Sequence, residues 1–209
     1  NLLDVFAPTI AFGHDLTQGQ IALRLDGSAM SLIGQAKIGG VPSDIAWYEN
    51  FTDDAPFTRR YDMKATLDDA ARERFGVDPG DLLNGPLFAD LSYVERADKA
   101  EKLYVKLKLD DSTISLPFLK WSKRPGKLAV AELEIDFRQG IMSEIKGYRF
   151  AADGLLSSGS VNFAADGKTL DTLNLSSLAL GERTNIGGTI KRTVNGGFVV
   201  ALSGPQLDL

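Results

Sequence analysis

Few side chains in this sequence are of a type that does chemistry, and their spacing works against most of it. The single histidine, His14, lies in Gly13-His14-Asp15. With Asp15 it would make a general base, but adjacent residues of a turn rarely converge, and no second His and no Cys exists to complete a metal site. It reads as a solvated turn residue. Paired carboxylates occur at Asp53-Asp54, Asp68-Asp69 and Asp110-Asp111. Neighbours in a strand point to opposite faces, so none is a dyad by spacing; each closes a periodic run, where Asp caps helices and ends strands. Gly167-Lys168-Thr169 has the tail of a phosphate-binding loop. Asn162 stands where the first glycine of that loop belongs, and the flanks read as strands, so Asp166-Gly167 is a hairpin turn. No Gly-x-Ser-x-Gly elbow and no Asp-x-Asp-x-Asp calcium loop occurs. The absence of cysteine removes thiolate zinc sites, thiol nucleophiles and disulfides. The expectation is a protein that is not an enzyme and carries no cofactor or metal. A glycan hydrolase or transferase would need carboxylates that only the fold brings together.

Binding chemistry is narrowed by charge. With 23 Lys and Arg against 28 Asp and Glu, the net charge of −5 leaves no basic excess for a nucleic-acid face. One basic-aromatic cluster, Lys120-Trp121-Ser122-Lys123-Arg124, is too small to reverse that balance and reads as a solvated loop. No run of eighteen apolar residues exists, so the chain contains no membrane-spanning helix. Its 209 residues, 44% of them apolar, suffice for one domain with a sizeable core. The first residue is Asn1 and no signal peptide precedes it, so the chain reads as a single segment, 1–209, of something longer.

The elements that would position any site are strands. Asp26-Gly27, Gly39-Gly40, Asp153-Gly154, Asp166-Gly167, Gly187-Gly188 and Asn195-Gly196-Gly197 are tight-turn sequences, separated by runs of hairpin-strand length. Within those runs apolar residues alternate with polar ones. Leu103, Val105, Leu107 and Leu109 oppose Lys102, Tyr104, Lys106 and Lys108, while Leu133, Ile135 and Phe137 oppose Glu132, Glu134, Asp136 and Arg138. Period two with one apolar face means a sheet buried on one side. Roughly twelve to fourteen such strands are predicted. One short helix is predicted near residues 66–76, with Thr66 to Asp69 as its capping box and Gly76 as its terminator. The stretch at about 68–84 is the candidate internal boundary, between a first strand group (1–67) and a second (85–209). Glycines inside strands, at Gly34, Gly159 and Gly187-Gly188, read as bulges or bends that curve the sheet.

So short a helix cannot cover so long an apolar face. The sheet must fold on itself as a sandwich, close into a barrel, or curl into a groove occupied by an apolar ligand. The expected fold is all-β: a strongly curved, mostly antiparallel sheet, either an open U-shaped groove or a half-closed sandwich. The candidate lining residues are Ile21, Leu23, Leu25, Leu32, Ile38, Met63, Leu67, Leu87, Leu91, Leu103, Val105, Leu107, Leu109, Leu133, Ile135 and Phe137. Core packing serves each of them equally well.

Several segments resemble the AsmA-like region of very large Gram-negative envelope proteins of the YhdP type. They are Gly34 to Pro42 followed by Ile45-Ala46-Trp47, Leu119 to Gly126, Gly154 to Val161, and Leu202 to Asp208. The resemblance implies a periplasmic β groove in a parent tethered to the inner membrane by an N-terminal helix. It also implies phospholipid acyl chains as the partner, moved between inner and outer membranes. The alternative is a scaffold that docks other envelope proteins through its sheet edges. In that setting Pro117 reads as a protected edge or bulge, because Pro cannot donate to a ladder.

Overall fold

The structure is a computed structural model that describes residues 1–11, 13–52 and 54–206. Asp53 of the Asp53-Asp54 pair, and Leu207 and Asp208 of the last resembling segment, lie outside the described residues. Strand makes up 67% of the structure and helix 6%, so the helical part cannot sheathe the sheet.

Sixteen strands occur among the described residues. The first five are β1 (Leu2–Ala11), β2 (His14–Leu25), β3 (Ala29–Ile38), β4 (Val41–Asn50) and β5 (Arg59–Leu67). Helix α1 (Asp69–Arg74) and a 3-10 turn (Gly80–Leu82) precede β6 (Leu83–Asn84), β7 (Leu87–Glu95), β8 (Glu101–Lys108) and β9 (Thr113–Leu116). A second 3-10 turn (Pro117–Leu119) leads to β10 (Trp121–Lys123), β11 (Ala129–Arg138), β12 (Ile141–Ala152) and β13 (Leu155–Phe163). The last three are β14 (Leu170–Leu180), β15 (Thr184–Arg192) and β16 (Phe198–Gln206).

Thirteen of these form one antiparallel sheet in the order β1-β2-β3-β4-β5-β7-β8-β11-β12-β13-β14-β15-β16. It is a meander interrupted by two insertions. The first, between β5 and β7, carries α1 and β6; the second, between β8 and β11, carries β9 and β10. Strands β10, β9 and β6 pair into a small second sheet, so the two insertions fold against each other. The interval 68–84 therefore holds the first insertion, and the strands on either side of it pair directly from Arg59↔Glu95 to Leu67↔Leu87. The large sheet is not closed: β1 and β16 are its two edges.

Alternation decides which way each strand faces, and cross-strand charge pins the register. On the polar face, Asp44, Lys64, Asp90, Lys106, Glu132 and Arg149 stand directly opposite one another along six successive strands, in alternating sign. Lys64 reaches Asp90 at 3.4 Å and Lys106 reaches Glu132 at 3.0 Å. A slip of one residue would break this ladder and also turn every apolar side chain to the wrong face. The glycines expected to bend the sheet sit where strands come closest. A Cβ on Gly34 would lie 2.0 Å from the Gln20 carbonyl oxygen, and one on Gly159 would lie 2.1 Å from that of Asn174. The β13–β14 register shifts between Ser158 and Gly159, where a bulge adds local bend.

Three sequence expectations need correction. The helix cap is Asp68, whose carboxylate accepts from the Ala71 N–H at 2.8 Å; Thr66 belongs to β5. Pro117 starts a 3-10 turn, where its missing N–H costs nothing, and is neither a protected edge nor a bulge. His14 opens β2 and is not a solvated turn residue: its ring meets Phe75 edge-on at 4.7 Å, just after α1.

Candidate functional site

Directly opposed residues of an antiparallel pair share a face, and the register places fifteen of the sixteen candidate residues on the same face of the large sheet, while Leu109, just past β8, packs with Leu87 and Ala89. They fall into rows that run across the strands. One row is Ile21, Gly34, Ile45, Met63, Leu91, Val105, Leu133, Tyr148, Gly159 and Leu175. The next, two residues along each strand and three along the bulged β12, is Leu23, Leu32, Trp47, Tyr61, Tyr93, Leu103, Ile135, Ile145, Val161, Leu173 and Ile190. Eleven strands thus contribute to one apolar band.

The two strand ends of this band differ. At one end the insertions lie on it as a roof. Ala71 and Phe75 of the α1 segment pack with Leu16, Ile38, Val41 and Ala65. Ile114, Leu116 and Trp121 of the small sheet pack with Leu87, Ala89, Leu109 and Ala129. Leu119 reaches Leu155, Leu178, Leu180 and Ile186. Among the candidates, Ile21, Ile38, Met63, Leu87 and Leu109 are core, with Ile38 only 1% exposed, and Leu67 and Leu107 pack half-buried against it. For the core residues the protein itself supplies the packing partners that an acyl chain would otherwise supply.

Polar anchors hold the roof. Arg72, 3% exposed, donates to the carbonyls of Gly85 at 2.6 Å and Leu83 at 3.2 Å and pairs with Asp69. Lys123 is equally buried, and its Nζ donates to the carbonyls of Ser112 (2.8 Å), Asp110 (2.9 Å) and Arg124 (3.2 Å). Burial pulls its pKa down, against the Asp110 and Asp111 carboxylates. Trp121–Lys123 of the Lys120–Arg124 cluster is therefore the outer strand of the small sheet and not a solvated loop, and Trp121 stands edge-on to Phe150 at 6.1 Å.

The other end has no roof. Leu32, Trp47, Tyr61, Tyr93, Leu103 and Ile135 are half-buried there, and Leu23 and Leu25 at the β2 margin are 44% and 66% exposed. Trp47, Tyr61, Tyr93 and Phe137 form a chain of ring contacts at 5.3, 6.1 and 6.4 Å. Beyond them the row turns polar: Glu49, Arg59, Glu95 and Glu101 oppose one another before Phe137 restores apolar character. Arg59 contacts Glu49 at 2.6 Å and Glu95 at 3.6 Å. Burial, with Glu101 and Glu95 close by, pushes the Tyr93 hydroxyl up to about 12. A small cavity of about 60 Å³ lies in the band among Leu32, Ile45, Trp47, Tyr61, Met63 and Leu91. Enclosed small-ligand pockets run to roughly 300–1,000 Å³, so a long apolar guest would lie along the open band. A larger hollow of about 650 Å³ lies on the polar face, between Asp90, Tyr104, Lys106, Glu132 and Arg149. Its charges belong to the ladder, which makes it a trough in that face.

Sequence reasoning did not place Ile145, Tyr148, Phe150, Val161, Leu173, Leu175 and Ile190 on this band. Their strands set Ser or Gly between apolar positions, and the register shift between Ile145 and Tyr148 breaks the period. The Trp47–Tyr61–Tyr93 chain had a usable signal, since each residue continues an apolar alternation (Ile45-x-Trp47, Tyr61-x-Met63, Leu91-x-Tyr93). Among the described residues no group of three His, Asp or Glu side chains could hold a metal ion, and no helix is long and apolar enough to cross a membrane. Comparison with protein families, curated proteins and solved structures finds no match for this chain in any of the three.

Proposed function

We propose that this chain is a non-enzymatic segment of an envelope protein that shields phospholipid acyl chains along its apolar β band. The reading that goes with it is the AsmA-like one: a periplasmic segment of a parent tethered to the inner membrane, passing lipid between the two membranes. The observation that carries it is the unroofed half of the band, where half-buried apolar side chains from ten consecutive strands of the sheet line up without a covering layer. Apolar surface of that extent is costly to leave wet. An acyl chain laid across it gains roughly 0.8 kcal/mol per buried methylene. The mechanism is passive, with hydrocarbon on the band and the headgroup at its polar margin.

Two substitutions on one strand test it. Val105 lies in the row next to the roof, and Leu107 packs beneath the small sheet. Val105→Asp can hydrate its carboxylate at the open side, so the protein stays folded and loses uptake of a fluorescent acyl probe. Leu107→Asp buries the charge and costs several kcal/mol, of the order of 3–5, seen as a large fall in Tm. Normal probe uptake by folded Val105→Asp, or no uptake by the unsubstituted protein, overturns the reading.

A scaffold role has one observation in its favour. Strand β16 is exposed along its whole length, carries no charged residue, and forms an open sheet edge. Uncharged exposed edges recruit further strands. Crosslinking in cell envelopes that yields a stable protein partner at β16 and no lipid adduct favours that role.

A further inference from the structure

The hollow of about 650 Å³ on the polar face falls within the range of small-ligand sites, roughly 300–1,000 Å³. Its carboxylates are occupied: Asp90 contacts Lys64 at 3.4 Å, Glu132 contacts Lys106 at 3.0 Å, and Glu134 contacts Lys102 at 2.6 Å. Arg149 is the last rung of the charge ladder, exposed and directly opposite Glu132 on β11 and Ser158 on β13. Because Glu132 is taken by Lys106, Arg149 is the lining cation outside these ion pairs among the described residues. Its fork of five N–H donors is open to an acceptor. Gly147 lines the same hollow two residues before Arg149 on the same face of β12, about 6.7 Å away. A Cβ there would meet no atom within 4 Å, and the backbone is not left-handed. Neither close strand approach nor conformation therefore requires glycine at 147, unlike at Gly34 and Gly159, although glycine weakens a strand. What it does is leave the floor of the hollow bare beside the guanidinium. Across that floor, Gly147, Glu134 and Tyr104 stand directly opposite one another on β12, β11 and β8. Tyr104 is 41% exposed and gives the hollow an aromatic wall, two strand spacings or about 10 Å from Gly147.

We infer that this hollow binds a sugar carrying one acidic group, a carboxylate or a phosphate. The acid pairs with Arg149 beside the Ser158 hydroxyl, and the sugar ring lies over Gly147 on the side of Tyr104. A guanidinium fork matches carboxylate and phosphate oxygens two at a time. The lysine-bound carboxylates keep lone pairs that accept from sugar hydroxyls, and the apolar face of the ring has the tyrosine as its neighbour. The site is on the face opposite the apolar band and stands independently of the acyl-binding reading.

The test titrates the whole chain, followed by NMR, with glucuronate, glucose 6-phosphate, glucose and inorganic phosphate. The unsubstituted protein should bind one or both acidic sugars about tenfold more tightly than glucose and than inorganic phosphate. Which acidic sugar binds separates the carboxylate source from the phosphate source. Arg149→Gln should bring the acidic sugars down to the affinity of glucose. Gly147→Val fills open space with a good strand former, so it should abolish binding while Tm stays within about 2 °C. No binding of either acidic sugar, or glucose binding equally well, overturns the inference. Inorganic phosphate binding as tightly as the sugar phosphate also overturns it, since Arg149 then holds a bare anion. A folded Gly147→Val that binds normally overturns the placement of the ring. The decisive comparison is made on the unsubstituted protein, so a variant that fails to fold does not shelter the proposal.

Discussion

Asp166 shows at the scale of one residue how this chain makes its turns. Its carboxylate accepts from the backbone N–H of Lys168 at 2.9 Å and of Thr169 at 2.8 Å, and from the Thr169 hydroxyl. The Thr169 hydroxyl, then the two backbone donors, hold its pKa down at about 2 against an ordinary value of 3.8. A depressed carboxylate stabilises the folded turn above the unfolded pKa, and that stabilisation is lost as pH falls through the folded value. The β13–β14 turn should therefore hold at pH 5 and loosen between about pH 4 and pH 2. Amide hydrogen exchange at Lys168 and Thr169 measures this, and Asp166→Asn should remove the pH dependence. Exchange that is flat across the window in the unsubstituted protein contradicts the assignment. The Gly167-Lys168-Thr169 segment that resembled the tail of a phosphate loop is thus a turn clamped by Asp166, in keeping with the missing glycine at Asn162.

At the scale of elements, the insertions decide what the band can do. Without α1 and the small sheet, the roofed rows would be as open as the rest. Their placement makes one strand end a closed core and leaves the other accessible. The strands themselves depend on close approach at a few glycines. Gly159 faces Tyr148 across β12–β13, and a Cβ there would also sit 2.9 Å from the Tyr148 ring. Neither the Asn174 carbonyl nor the packed ring can retreat cheaply, so Gly159→Ala should destabilise the protein by about 2–4 kcal/mol. A denaturant midpoint within error of the unsubstituted protein would show that the bulge relaxes freely.

The whole molecule has two unlike edges. Strand β1 pairs with β2 through three register shifts, and bulges of this kind twist an edge away from further pairing. Strand β16 pairs with β15 through one shift and exposes Phe198, Val199 and Val200 at 52–59%. Association through a sheet edge should therefore begin at β16. Val200→Lys places a charge on an exposed position, so it should lower self-association at high concentration while leaving Tm within about 2 °C. Sedimentation velocity across a concentration series checks this. An unchanged profile would move the sticky surface elsewhere, for instance to the apolar band.

Fold class, strand facing and the single short helix were legible in the sequence because they depend on local quantities. Period-two alternation in Leu103 to Leu109 and Leu133 to Phe137 sets which side chains share a face, whatever lies above them. Turn dipeptides such as Asp166-Gly167 mark where strands reverse. The division of the band into roofed and open halves was not legible. It depends on α1, β6, β9 and β10 coming together from two separate insertions, and Leu107 and Val105 look alike until Leu107, and not Val105, is found packed against the cluster that Ile114 of the small sheet helps to form. The burial of Lys123 and the pairing of His14 with Phe75 were missed for the same reason: each partner is supplied by packing and not by sequence spacing. Alternation says which residues must leave water, but only tertiary structure decides what covers them, because burial is a property of neighbours that the chain brings back from far along its length.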